Sequence, residues 1–170
     1  MNLDAQAGRD TQDLTREGGA MDAGPMPTVG ASPPRGEHSN RGSERVVRGR
    51  GRSAEEALEQ AAVALCARVA DPASVEVREE VSVECEARDL DHLLADWLGA
   101  IVHNMAARRL RFRCFAVRLD GWRLFGHAFG EHQDSQRHQG PLELRGLSLV
   151  GARVRREADG HWTAECEVED

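Results

Sequence analysis

Between Leu90 and Met105 the residues Leu90, Leu93, Leu94, Trp97, Leu98, Ile101, Val102 and Met105 recur at three- and four-residue spacing. That repeat is the pitch of an α-helix, and it places all of them on one stripe. The spacing predicts a helix from Asp89, whose side chain suits the first free amides, to about Ala107. Arg108 and Arg109 follow, where cations favour the negative end of the helix dipole. A tryptophan among leucines at this spacing is core packing and needs a broad apolar surface opposite it, which a sheet supplies.

A second amphipathic segment lies upstream. Ser53 with Glu56 three residues on forms a capping box, and Leu58, Ala61, Ala62, Leu65, Cys66 and Val69 share one face behind it. Asp71 and Pro72 end this helix, because proline donates no amide and restricts the residue before it. Its alanines permit close packing on a sheet.

The remaining pattern is that of strands. Val46 and Val47 between arginines and glycines predict a short one. Val75, Val77, Val81, Val83, Cys85 and Ala87 share one parity, interrupted by Glu79 and Glu80, which predicts two strands meeting in a tight turn or one bent strand. Residues 110 to 119 and 122 to 129 flank a hairpin turn at Asp120 and Gly121, and a polar loop runs from Glu131 to Gly140. Strands near 142 to 146 and 148 to 155, a turn at Asp159 and Gly160, and a last strand from Trp162 towards Val168 complete the order. The order β-α-β-β-α-β-β-β-β predicts an α+β fold, a mainly antiparallel sheet with two helices packed on one face.

Residues 1 to 40 hold no aromatic residue and few aliphatics, with Gly24, Pro25, Pro27, Pro33 and Pro34 among them. Such a segment buries too little apolar surface to offset its ordering entropy, so we expect a disordered tail at 1–40 and a domain at 41–170. Of the 170 residues 22 are cations, all of them arginine, and there is no tyrosine. That excludes a P-loop lysine, a Schiff-base lysine and a tyrosine acid. The net charge of -7 argues against broad nucleic-acid binding, although residues 41 to 52 carry five arginines against one acid. Cys66, Cys85, Cys114 and Cys166 lie far apart inside apolar patterns and contain no CxxC pair, so we expect buried reduced thiols and no zinc site. The start MNLDAQAGRDTQDL has no apolar core of a leader and no run of about 18 apolar residues occurs, which predicts a cytoplasmic protein without membrane contact.

Motifs for catalysis are missing: eight serines show no GxSxG, and no cysteine sits at an electropositive helix start. The GRGR at 49 to 52 is an arginine-bearing strand leading into the helix cap, not a phosphate loop. Glu131, His132, Asp134 and His138 read as surface polar residues of one loop, and His92 and His103 as boundary positions of the second helix. Glu44 precedes the first strand, and Glu169 and Asp170 end the last. Were those strands neighbours, their oxygens would converge as ligands for calcium or magnesium.

Several segments together resemble one family. They are the opening EHSNRGSERVVRG at 37 to 49, the helix SAEEALEQAAVAL, and the helix RDLDHLLADWLGAIVHNM. To these add the loop Gly130, Glu131, Asp134, Arg137 and His138, the run Arg145-Gly146-Leu147-Ser148 and the end HWTAECEVED. From about Glu37 to Asp170 the chain is similar to the archease proteins, small α+β partners of the RtcB-type RNA-splicing ligase. The resemblance implies a non-catalytic accessory protein. It would activate the ligase, promoting its guanylylation and turnover in tRNA splicing or RNA repair, and meet RNA only indirectly.

Archeases hold a divalent cation, usually calcium, through two aspartates and a nearby backbone carbonyl. Carried over, the first position is Glu44 and the second Glu169, with Asp170 supplying the terminal oxygen; a one-residue shift makes Asp170 itself the match. Glu131, Asp134, His138 and Arg145 are the implied partner-binding residues. Both expected aspartates are glutamate here, Arg41 stands at the motif's histidine, and Arg145 stands at its lysine. These departures leave a second expectation: a binding module for another protein or RNA that has lost the metal site, using the Arg41 to Arg52 cluster.

Overall fold

The computed structural model describes residues 45–138 and 148–169. The expected tail at 1–40 and the expected strand at 142–146 lie outside them. The described elements are β1 (Val46–Gly51), α1 (Ala54–Ala67), β2 (Glu79–Glu86), α2 (Leu90–Ala107), β3 (Leu110–Asp120), β4 (Arg123–His132), β5 (Ser148–Arg156) and β6 (Trp162–Glu169), with a short 3-10 turn at Pro72–Ser74. The α+β class and the antiparallel pairing follow the sequence pattern. The strands divide into two three-stranded sheets, β1-β6-β5 and β2-β4-β3. Each central strand has both edges taken, β6 by β1 and β5, β4 by β2 and β3. Helix α1 packs on β1 and β6 of one sheet and on β3 of the other, so one apolar core serves both.

The helix starts obey the sequence. The Ser53 hydroxyl accepts the Glu56 amide at 3.1 Å, and the Glu56 carboxylate accepts the Arg52 amide at 2.6 Å. Asp89 accepts the His92 amide at 2.9 Å, which pulls its carboxyl below the ordinary range. Helix α1 stops at Ala67, earlier than Asp71, because the Val69 and Ala70 amides both turn back to the Cys66 carbonyl. Asp71 instead caps the 3-10 turn, accepting the Ala73 amide at 3.0 Å. That turn delays the strand expected from Val75, which forms only from Glu79.

Two glycines set how closely helices approach the sheets. A Cβ on Gly49 of β1 would lie 2.2 Å from the Ala57 carbonyl oxygen and from the Ala61 amide nitrogen. The GRGR stretch is therefore a contact strand: its glycines face α1, and Arg50 between them faces outward and pairs with Asp159. On β4, a Cβ at Gly126 would lie 2.2 Å from the Trp97 ring. Trp97 is 0 % exposed, meets Phe115 edge-on at 5.8 Å, and donates its Nε1–H to the Leu58 carbonyl of α1 at 3.2 Å. One side chain thus ties α2 to α1 and to the middle of a sheet.

Gly126→Ala forces that ring off its seat. We expect a loss of about 1–3 kcal/mol, the usual cost of overpacking a filled core, and a thermal midpoint lower by several degrees in circular dichroism. An unchanged midpoint contradicts the close approach.

Candidate functional site

The described residues singled out by the sequence fall at two places. At the first, β1 and β6 are antiparallel neighbours, with Val46 opposite Glu167, and the Val168 amide donates to the Arg45 carbonyl at 2.6 Å. The start of β1 therefore lies beside the end of β6, the arrangement that the oxygen donor set requires. Glu169 is exposed there, opposite Ser148 of β5. Glu44 and Asp170, its expected companions, lie outside the described residues, as does Arg145. Among the described residues no group of three or more His, Cys, Asp or Glu is placed to hold a metal.

The second place is the loop after β4. Sequence reasoning treated Glu131, His132, Asp134 and His138 as surface residues, and for two of them the structure corrects this. Glu131 and His138 are each 3 % exposed. Strand β4 runs on through His132, and the turn that follows folds His138 back beside Glu131. The Glu131 Oε1 accepts the Glu76 amide at 2.8 Å and the His138 Nε2–H at 3.1 Å; its Oε2 accepts Arg137 Nη2 at 2.8 Å. The His138 Nδ1 accepts the Asp134 amide at 2.8 Å, which leaves the ring proton on Nε2 and aims it at the carboxylate.

Burial pushes the Glu131 carboxyl up, but the Glu76 amide and the bond and charge of Arg137 outweigh it and hold it below the ordinary range. Asp134 lies nearer the surface, accepting the Gln136 amide at 2.9 Å and Arg137 Nε at 3.0 Å. His132 turns away to Glu79 at 3.0 Å. The arrangement is a clamp: a buried carboxylate ties the chain at Glu76 to a turn 55 residues later, and Asp134 and Arg137 form its outer side. Glu76 was the residue missed, and its place on the strand parity opposite to the valines gave no signal of its amide contact.

Burial is the largest influence on all four thiols and pushes each above its ordinary range, Cys66 up to about 12. They stay protonated at neutral pH, and a thiol is a poor nucleophile. They are unpaired, and Cys66 touches the Met105 sulfur at 3.7 Å.

A two-sheet α+β domain of this layout is known from protein 1598 of Methanobacterium thermoautotrophicum. The fold matches with a TM-score of 0.54 at 24% identity, over 72% of this chain and 89% of that one. The sequence identifies the group more narrowly. The model of the archease protein family (MTH1598/TM1083) matches residues 44–169. Protein archease of Pyrococcus abyssi is 31% identical over 135 residues, covering 77% of this chain and 95% of its own. That of Methanopyrus kandleri is 37% identical over 119 residues, covering 68% and 84%. The chain belongs to the archease family.

A carboxyl held low in the folded state binds its proton more weakly there than in the unfolded chain. Its stabilising contribution is therefore complete above about pH 4.3, the ordinary glutamate value, and is lost as pH falls through the lower folded value. Glu131→Gln, which cannot ionise, should melt several degrees below the wild type at neutral pH, with the difference closing in acid. A gap as wide at pH 2.5 as at pH 7 contradicts the clamp.

Proposed function

We propose that this chain is a non-catalytic activator of an RtcB-type RNA ligase, promoting guanylylation and turnover of the ligase in tRNA splicing or RNA repair. The observation that carries this reading is the archease family match across residues 44–169. The protonated thiols agree with an accessory role, because they remove cysteine as a nucleophile. No described helix is long and apolar enough to cross a membrane, and the proposed place of action is the cytoplasm.

The reading includes a divalent cation, calcium, held at the β1–β6 junction by Glu44, Glu169 and Asp170. Bound there, it would neutralise carboxylates at the two strand ends and order that edge for the ligase. Glu131 and His138 act from inside, holding the turn whose Asp134 faces the partner together with Arg145.

The alternative, a binding module for another protein or RNA working through Arg41 to Arg52, has less support. Arg48 Nε is bonded to Glu165 at 2.6 Å and Arg50 pairs with Asp159, so two of those cations already have counter-charges that a phosphate must displace.

The test mixes the chain with the ligase of its own organism, GTP and a divalent metal. We expect more guanylylated ligase and many rounds of RNA joining per ligase molecule. Glu44→Ala should lower both, together with the heat of calcium binding in calorimetry. Ligase activity indifferent to the wild-type chain refutes the proposal, and calcium heat that survives Glu44→Ala refutes the assigned cation site.

A further inference from the structure

Strand β4 has two unlike faces. Leu124, Gly126 and Ala128 point into the core, with Trp97 seated on Gly126 and both helices on that side. Phe125, His127 and Phe129 alternate with them on the opposite face, half-buried and outside the core cluster. Two of the chain's four phenylalanines therefore forgo the burial that Phe112 and Phe115 obtain. The three rings form a row along the strand: His127 and Phe129 stack with centroids 6.4 Å apart, and the Arg118 guanidinium lies 4.4 Å from the Phe125 centroid. Ala116 and Cys114 of β3 stand beside His127 and Phe129 and add apolar surface. In the other sheet the central strand β6 has Glu165 and Glu167 at its outward positions, with Arg48 bonded to Glu165. The fold itself does not demand rings on an outer face.

The rim decides what the rings can meet. Across from the row on β2 stand Glu80 beside Phe129, Glu84 beside Phe125 and Glu86 beside Arg123; on β3 stand Arg118 beside Phe125 and Asp120 beside Arg123. Four carboxylates thus border the rings against two guanidiniums, and the Glu80, Glu84 and Glu86 side chains are all more than half exposed. An excess of acid repels phosphate, which sets RNA aside, and it opposes a second copy of the same face. Size opposes a second copy too. From Phe129 to Arg123 the three strands offer about 14 by 23 Å, roughly 320 Å², under half of the about 800 Å² that each side of a stable standard interface buries. Glu131 continues the parity of the row, so the clamp and its turn border the face beyond Phe129. A partner that is cationic and engages the turn as well satisfies both charge and area.

We propose that the open face of the β2-β4-β3 sheet docks on a cationic surface of the RNA ligase, with Phe125 and Phe129 seated among apolar side chains and the β2 acids meeting arginines or lysines. An enzyme that joins RNA ends presents cations to phosphate, and the acid-rimmed rings are the complement of such a surface. Aromatic side chains and arginine are also what the centres of protein interfaces are enriched in. The inference rests on the activator reading and extends its contact from the turn at Asp134 across the sheet.

Affinity between the full chain and the ligase of its own organism is measured by biolayer interferometry without RNA, beside guanylylation of the ligase. Wild-type affinity should fall as salt rises, because the rim contacts are screened. Phe125→Ser/Phe129→Ser should keep the circular dichroism spectrum of the wild type, bind the ligase at least tenfold more weakly and stimulate it less. Glu84→Lys/Glu86→Lys, at exposed positions, should weaken binding mainly at low salt, and it carries the test if the phenylalanine variant fails to fold. Arg153→Glu, on the other sheet, should change neither readout. Folded variants of both pairs that bind and stimulate as the wild type does overturn the docking face and leave the activator reading in place. An equal loss in Arg153→Glu overturns it as well. A wild-type chain that neither binds nor stimulates the ligase overturns both. A dimer in sedimentation, or RNA binding in anisotropy, that is lost in Phe125→Ser/Phe129→Ser while ligase affinity is unchanged assigns the face to that occupant and overturns the proposal.

Discussion

The seat of Trp97 on Gly126 is the contact on which the rest of the domain depends. A full indole ring lies where any other residue on β4 would place a side chain, and its N–H reaches across to a carbonyl of α1. The backbone of β4 can accept this only at a glycine, and α2 can supply the ring only if its stripe faces the sheet squarely. The same logic operates at Gly49, where the small faces of Ala57 and Ala61 let α1 lie almost against the backbone of β1. Close-packed interiors tolerate little change of volume, so these contacts fix the distance of each helix from its sheet. Everything placed on the strand ends, including both candidate sites, inherits that spacing.

The helices do more than cover the sheets. Glu59 of α1 accepts the Val117 amide of β3 at 2.8 Å, and Asp91 of α2 accepts the Val154 amide of β5 at 2.8 Å. Both amides point away from the ladder on strands that are sheet edges. An unpaired edge amide invites another strand, and a carboxylate from the chain's own helix occupies it. Burial raises the Glu59 carboxyl despite its bond to Val117. The edge is thus closed at some electrostatic cost, borne where the helix already packs closely.

Sequence periodicity foretold what local spacing can determine. The stripe residues Leu93, Leu94, Trp97, Leu98, Ile101 and Met105 are all buried, as are Leu58, Ala61, Ala62, Leu65, Cys66 and Val69. The caps at Ser53 and Asp89 also fall where the motifs place them. Partition into two sheets was not legible, because it depends on which strands take the two edges of β4 and β6, and that is a property of distant pairings. The burial of Glu131 and His138 was hidden for the same reason. A carboxylate is stable inside only when donors surround it, and one of its donors, the Glu76 amide, comes from the stretch before β2, 55 residues earlier. Polar composition alone makes 131 to 138 look like solvated loop, whereas the turn at Asp134 brings His138 back under it. Of the β1–β6 junction, the sequence offered acids at two strand ends, and only the pairing of Val46 with Glu167 shows that those ends meet.

Arginine in place of lysine now has a structural meaning at particular positions. Arg137 bonds Glu131 through Nη2 and Asp134 through Nε, and its Nη1 lies 3.5 Å from Glu76. A lysine ammonium is a single point of charge and cannot hold three carboxylates that approach from different sides at fixed angles. Arg118 and Arg123 lie 4.4 and 5.5 Å from the Phe125 ring centroid, contacts for which the flat guanidinium is also the better group. Arg111 is the counter-case. It has the same fork, placed at a strand start where the opposing acid is already engaged, and among the described residues its buried Nε meets no hydrogen-bond partner. Where guanidinium groups find planar partners within the chain, they organise loops and sheet faces.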